Sequence, residues 1–310
     1  MILTVTLNPS VDISYFVDQF QLDTVNRTGQ ITKTPGGKGL NVTRVLKQLG
    51  TPVTATGFLG GHIGELLKQG LDQAEIQHSF SPIEGETRNC IAVLSQDQQT
   101  EILEAGPQIS EPEAADFLQH FEALLEDHQL VTISGSLPKG VPTDFYQQLL
   151  TLAAKAGRPV LLDTSGEALR HSLSGAHKPY LIKPNHHEIA ELLHKESSKQ
   201  IEELKSDLQH PLFEGVPYIV VTLGADGALI KHQQAFYKAE LPVIHAVSPV
   251  GSGDASLSGM AAGLFKQQEL ASVFKTAMTT GLLNTLETQT GHIDMNQFAY
   301  YYNQIQINQL

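Results

Sequence analysis

Five short runs rich in β-branched and aliphatic residues recur along this chain of 310 residues: TPVTATGF (51–58), LVTISGS (130–136), RPVLLDTS (158–165), PYLIKP (179–184) and PYIVVTLG (217–224). The stretches between them read as helices. Strands and helices in alternation imply a mainly parallel sheet with helices on both faces. The amino-terminal MILTVTLNPS alternates apolar residues with threonines, as a strand does. In such sheets ligands bind beyond the carboxyl ends of the strands, so chemistry is expected in the residues just after each run. Here those residues are polar and rich in glycine.

Helical periodicity is clearest in GKGLNVTRVLKQLG, where Val42, Val45, Leu46 and Leu49 fall at i, i+3, i+4 and i+7, with Gly50 as a stop and Pro52 beyond. Leu257, Met260, Ala261 and Leu264 make the same stripe, which predicts that Gly251 to Asp254 form the loop and first turn of a helix with one buried face. Two regions break the alternation. VDISYFVDQF with NRTGQITKT, and TRNCIAVL with QQTEILEA, read as four strands without intervening helices, an antiparallel flap over about 11–34 and 86–105. Lying over the strand ends, such a flap would be a lid. No linker or repeat divides the chain, so residues 1–310 are expected to form one domain carrying that lid.

A formal net charge of −13 argues against a nucleic-acid partner, which proteins usually meet with a basic face. It leaves room for a local anion site built from a few Lys, Arg and backbone N–H groups. No segment approaches the ~20 apolar residues of a membrane span. The amino terminus lacks the basic region of a signal peptide, and the single cysteine, Cys90, rules out an internal disulfide. A cytoplasmic protein with no membrane partner is the expectation.

Three stretches are candidates for chemistry, and each has a plainer reading. In TPGGKGLN (34–41), Gly36, Gly37 and Gly39 allow close backbone approach to an anionic or hydroxyl-rich ligand and Lys38 adds a charge; the alternative is an ordinary turn before a helix. It is not a phosphate-binding P-loop, because Gly39 stands where Ser or Thr must follow the lysine. PVGSGDAS is an incomplete dinucleotide fingerprint, since Ser256 replaces its third glycine. There Asp254 is either a helix N-cap behind a glycine turn, or the base of a phosphoryl-transfer site. In the second case the N–H groups of Gly251, Ser252, Gly253 and Asp254 would stabilise the transferring charge.

At the remaining strand ends, Gly224 and Gly227 of VTLGADGAL suit a nucleotide edge or a hairpin turn, while Asn185 and Glu188 of KPNHHE suit water-coordinated Mg²⁺ or a helix cap. His186 and His187 lack zinc-site spacing and are read as surface residues. Arg27, Lys38 and Arg88 could grip a phosphate on the substrate, although any lone arginine also suits a solvated surface.

GGKGLN, SGSLPKG, KPNHHE, TLGADGA and PVGSGDAS occur in the order and approximate spacing of the ribokinase-like (PfkB-type) carbohydrate kinases, and the resemblance spans essentially the whole chain. It implies a three-layer α/β/α sandwich with a mainly parallel central sheet and a small antiparallel β lid, using ATP and Mg²⁺. By the same resemblance Asp254 is the catalytic base and Gly251, Ser252 and Gly253 form the anion hole. Asp12, Gly36, Gly37, Lys38 and Asn41 fall on sugar-binding positions, and Arg88 and Ser136 on positions that contact the sugar phosphate. Lys183, Asn185, Thr222, Gly224, Gly227 and Asn284 fall on the nucleotide side, with Asn185 and Glu188 associated with Mg²⁺.

TLNPSVDISY, TRNCIA and TEILEAGP look like the sugar-phosphate branch, which includes tagatose-6-phosphate kinases and 1-phosphofructokinases; GGKGLNVTRVL and GETRNCIA look closest to the former. D-tagatose 6-phosphate is thus the expected acceptor, with fructose 1-phosphate as the alternative and a non-catalytic sugar-phosphate sensor as a reading from another class. Lid edges could pair between two chains and give a homodimer. Two positions depart from the family pattern: Ser252 replaces the usual alanine, and Ala255 follows the aspartate where a hydroxyl residue is usual.

Overall fold

A computed structural model describes residues 1–96 and 98–310. Its strands are β1 (Ile2–Thr6), β2 (Ser10–Phe16), β3 (Gln30–Gly36), β4 (Val53–Leu59), β5 (Gln77–His78), β6 (Ser81–Pro82), β7 (Arg88–Ser95), β8 (Gln98–Leu103), β9 (Leu130–Ser134), β10 (Val160–Asp163), β11 (Leu181–Ile182), β12 (Tyr218–Thr222), β13 (Ala228–His232), β14 (Ala235–Glu240) and β15 (Gln306–Gln309). The main sheet runs β15-β14-β13-β12-β11-β10-β9-β1-β4-β5, with β6 also on β4. From β12 to β4 every pairing is parallel. The alternating runs of the sequence supply this part.

Both faces of the sheet are covered, so its central strands are apolar on both sides. Leu3, Val5, Ile133, Leu162 and Ile219 pack with Phe117, Phe121, Tyr146 and Leu169 from helices Glu111–Leu124, Phe145–Lys155 and Gly166–Ser174. Ile2, Leu161, Leu181 and Val220 face the other layer, where Val42, Leu46, Leu257, Met260 and Phe274 come from helices Lys38–Gln48, Ser252–Phe265 and Leu270–Thr285.

The structure differs from the sequence pattern in three places. Helix Ser252–Phe265 is buried continuously from Asp254 to Gly263 instead of on one stripe, because neighbouring helices flank it as well as the sheet. GADG between β12 and β13 closes a hairpin, so β13, β14 and the carboxyl-terminal β15 extend the sheet in antiparallel fashion. PYLIKP contributes only Leu181 and Ile182 to the sheet, the chain then turning at Pro184 into a helix cap.

The four flap segments form the second sheet, ordered β3-β2-β7-β8. Its outer pairings are antiparallel, whereas β2 and β7 run parallel in the middle, since both lead away from strands of the main sheet and their return strands lie outside them. Val11 and Ile13 anchor the lid on Leu67 and Leu71 of helix Gly61–Gln73. Among the described residues no helix is long and apolar enough to cross a membrane.

Candidate active site

A cleft of about 620 Å³ lies between the carboxyl ends of β1, β9 and β10 and the inner face of the lid. The two-residue period of a strand decides what faces it: Asp12, Ser14 and Phe16 of β2 and Cys90, Ala92 and Leu94 of β7 line the cleft. Gly37, Lys38, Asn41, Arg88 and Ser136 line it too, so four segments far apart in sequence meet at one surface. Asp12 accepts a hydrogen bond from Ser10 Oγ at 2.7 Å. Burial pushes its carboxyl up, against the pull of Ser10, Arg44 and Arg88.

Asp254 sits beneath the cleft floor and is 5% exposed. Asn41 Nδ2 donates to its Oδ2 at 2.8 Å, and among the described residues no donor reaches Oδ1. Its carboxyl is pushed up to about 6, first by burial and then by the charge of Asp163, while Lys38, Asn41 and Lys183 favour the ionised form. Such a group is ionised at neutral pH and still a better proton acceptor than a free carboxylate.

Asp163 is the residue that motif reading missed. It closes β10, is 3% exposed, and its Oδ2 lies 3.4 Å from Lys183 Nζ with no hydrogen-bond partner among the described residues. Its charge is also the main reason that the Lys38 ammonium is pushed up. The signal available in the sequence is an acid set directly after the apolar run Val160-Leu161-Leu162, at a strand end.

The glycine loop before Asp254 has the geometry of an anion site. Gly251 caps helix Ser252–Phe265 at φ 80°, the left-handed region that favours glycine. Ala255 N–H bonds to Gly251 O at 2.9 Å, Ser252 N–H makes only a 3.4 Å contact with Pro249 O, and the N–H groups of Gly253 and Asp254 have no backbone acceptor among the described residues. A Cβ at Gly253 would lie 2.9 Å from Lys183 Nζ, so the missing side chain lets that ammonium sit under the loop. Ala255 is buried with Val45, Leu283 and Ile293. Its side chain points into the core, and a hydroxyl there would not reach the cleft.

Arg88 lines the cleft but is also a brace: Nε and Nη2 donate to Asn8 O at 3.3 and 3.0 Å, and Nη1 donates to Glu104 O at 2.8 Å. Two of its five N–H groups stay free for a ligand. Arg27 is exposed between β2 and β3 and does not line the cleft. Gly36 ends β3 beside Asp12.

On the far side, Asn185 caps helix His186–Leu192, its Oδ1 accepting from the N–H groups of His187 and Glu188 at 2.9 Å while Glu188 Oε2 accepts from Asn185 N–H at 2.8 Å. Asn185 and Thr222 pair across neighbouring strand ends, and Gly224 and Gly227 bound the turn that follows. Asn284, 1% exposed, uses both ends of its amide within the protein: Nδ2 donates to Val250 O and Oδ1 accepts from Gly291 N–H, each at 2.9 Å. It pins the glycine loop to the segment after helix Leu270–Thr285.

A recessed carboxylate beside unpaired N–H groups at a helix start, under a lid whose inner face carries hydroxyls and carboxylates, suits an enzyme that moves a phosphoryl group onto an alcohol. The chain is a sugar kinase. It matches the profile of the pfkB family of carbohydrate kinases over residues 5–296 and belongs to that family. In three dimensions it is similar to a phosphofructokinase candidate from Staphylococcus aureus, with 30% identity over 100% of this chain and 99% of that chain and a TM-score of 0.87. Phosphofructokinase-2 from Escherichia coli is similar at 28% identity over 98% of each chain, TM-score 0.89. A possible 1-phosphofructokinase from Thermotoga maritima is similar at 26% identity over 100% of this chain and 99% of that chain, TM-score 0.88.

Proposed function

We propose that the protein transfers the γ-phosphoryl group of ATP to the C1 hydroxyl of D-tagatose 6-phosphate, giving the 1,6-bisphosphate and ADP. The observation that carries the chemistry is Asp254: among the described residues no donor reaches its Oδ1, and it stands in the first turn of a helix whose leading N–H groups lack backbone acceptors. The sugar is held under the lid by Asp12 and its neighbours, with Arg88 and Ser136 toward its phosphate. As the C1 oxygen bonds to the γ-phosphorus and the bond to the β-phosphate oxygen breaks, the hydroxyl proton passes to Asp254. Gly251 to Gly253 and Lys38 meet the charge on the transferring group, and Lys183 supports that loop from below. The nucleotide lies along Lys183, Asn185, Thr222, Gly224 and Gly227. Closure of the lid excludes water, so ATP is not hydrolysed.

Among the described residues no group of three metal-ligating side chains is assembled, but the buried Asp163 carboxyl and the half-buried Glu188 carboxyl suit a divalent cation held through water. Asp163 Oδ2 has no hydrogen-bond partner among the described residues, and the Glu188 carboxyl is pushed up by burial and by the charge of Asp163, so a dication near them relieves both. Mg²⁺, when bound, neutralises charge on the phosphates. Asp163 and Glu188 would hold it through water, while Asn185 is committed to the helix cap.

Support for tagatose 6-phosphate comes from GGKGLNVTRVL and GETRNCIA. A fructose phosphate is the second reading, favoured by the neighbours: the Escherichia coli phosphofructokinase-2 has been solved with fructose 6-phosphate, and the Thermotoga maritima neighbour is a possible 1-phosphofructokinase. These ketoses all carry a phosphate at one end and a primary hydroxyl at the other, and tagatose differs from fructose only in configuration at C4. Comparing kcat/KM for D-tagatose 6-phosphate, D-fructose 6-phosphate and D-fructose 1-phosphate decides between them. The highest value is expected for tagatose 6-phosphate; a higher value for either fructose phosphate replaces the substrate and leaves the kinase assignment in place.

A homodimer joined through the lid belongs to the same reading. β3 and β8 are edge strands with unpaired backbone groups, and Ile31 and Ile102 on them are exposed. The neighbouring Escherichia coli enzyme has a tetrameric inhibited form. A cytoplasmic location suits the use of ATP.

A further inference from the structure

Arg44 lies within GGKGLNVTRVL but has no role in the motif readings, yet its guanidinium joins three parts of the site. It donates from Nη1 to Pro35 O at the base of the lid, and from Nη2 to Asn41 Oδ1 at 2.7 Å and to Thr290 O at 2.6 Å. Thr290 itself lines the cleft. Asn41 then passes the constraint on, because its Nδ2 donates to Asp254 Oδ2 at 2.8 Å.

The two ends of a carboxamide are nearly the same size but opposite in polarity. Shape alone does not decide which end of Asn41 faces the aspartate. Arginine has donors only, so Asn41 must turn its oxygen to Arg44 and its NH₂ group to the carboxylate. We propose that Arg44 is a positioning residue for phosphoryl transfer, holding the Asn41 amide in the one orientation that donates to Asp254. The proposal rests on Asp254 being the base.

Reversal of the amide would set Asn41 Oδ1 against the carboxylate, replacing a hydrogen bond with repulsion between two acceptors. The carboxyl would gain proton affinity and lose its fixed direction. The charged groups facing Asp254 come from several elements: Lys38 from the first turn of its helix, Lys183 from the segment after β11, and Asp163 from the end of β10. The charges of Asp12 of β2 and of Asp254 favour the ionised Arg44 guanidinium. Removing Arg44 leaves Lys38, Lys183 and Asp163 in place and takes away one cation and the orientation of one donor, so the net change favours the protonated acid. A brace between Pro35 and Thr290 would stiffen the site without acting on that proton.

The test is a cycle of Arg44→Met and Asn41→Ala, singly and together, in the full chain with ATP, Mg²⁺ and the preferred ketose phosphate, with thermal melts as a check on folding. Arg44→Met is expected to lower kcat about 10- to 100-fold, to leave KM for ATP within about 3-fold, and to move the acid limb of the kcat profile upward by about half a pH unit. In the Asn41→Ala background the same substitution should cost less than about 3-fold. Arg44→Lys, which keeps a charge and a donor, should restore part of the limb, and it replaces Arg44→Met in the cycle if the latter does not fold. Equal losses in both backgrounds with an unmoved acid limb overturn the proposal. Asp254→Asn, run in parallel, separates the two ideas: if it retains activity the base assignment fails, and if it is inactive while the cycle is additive, only the role of Arg44 fails.

Discussion

The floor of the cleft and the lid above it are built in opposite ways. On the floor, every residue of β1, β9 and β10 is buried, and the polar groups at the strand ends are held by the fold: Asn41 on Asp254, Lys183 beside Asp163, and both Tyr146 and Thr164 on Gly135 O at 2.9 Å. In the lid, β7 is half-buried throughout and all six residues of β8 are exposed. Close packing and fixed polar groups, some of them without a partner in the protein among the described residues, make the floor a preorganised electrostatic site, whereas the thinly packed lid belongs to the part of a protein that opens at low cost. On the proposed function, chemistry belongs to the floor, and acceptor recognition with closure belongs to the lid.

Substitutions on the two sides should separate kcat from KM. The largest effect is expected for Asp254→Asn, with kcat lowered about 10²- to 10⁴-fold while both substrates still bind, measured by single-turnover kinetics and titration. The same variant should be more stable. The folded-state carboxyl lies near 6, above its ordinary 3.8, so its burial cost is fully present above about pH 6 and fades as the pH falls toward the unfolded value. Denaturant melts should show Asp254→Asn gaining on the order of 2 kcal/mol at pH 8 and little at pH 4. A loss at pH 8 would mean that the carboxylate stabilises the floor.

Next comes Gly253→Ala. Its Cβ would displace Lys183 Nζ, so kcat should fall about 10- to 100-fold with the acceptor KM little changed. Arg88→Ala, at the hinge between floor and lid, should chiefly raise the acceptor KM by about 10-fold and leave KM for ATP alone. An effect confined to kcat would move Arg88 to the chemical side of the comparison. The smallest effect belongs to Ile102→Ser on the outer lid, expected to change stability by less than about 0.5 kcal/mol while weakening self-association in light scattering.

The same contrast explains what was legible in the sequence. Alternating runs disclosed the parallel sheet, and GGKGLN and GSGD pointed to Asn41 and Asp254, which the fold joins by a hydrogen bond across 213 positions. Asp163 was not legible, because an acid after a strand looks like any cap until Lys38 and Lys183 are seen around it. Arg44 reads as a polar residue between core positions Val42 and Val45, and only its tertiary contacts with Thr290 and Pro35 set it apart. GADG fits a nucleotide edge and a hairpin equally well on paper, and the antiparallel edge of the sheet depends on which strand follows. The departure at Ala255 falls on a side chain that helix Ser252–Phe265 turns to the core, which the sequence alone does not show.

The most direct test is ADP release by the wild-type protein with ATP and Mg²⁺, with and without each ketose phosphate. Sustained release coupled one-to-one to formation of a sugar bisphosphate, and near-absent without acceptor, is the predicted result. Tight binding of both ATP and a ketose phosphate with no turnover at any pH from 6 to 9 would contradict it and leave a sugar-phosphate sensor in its place.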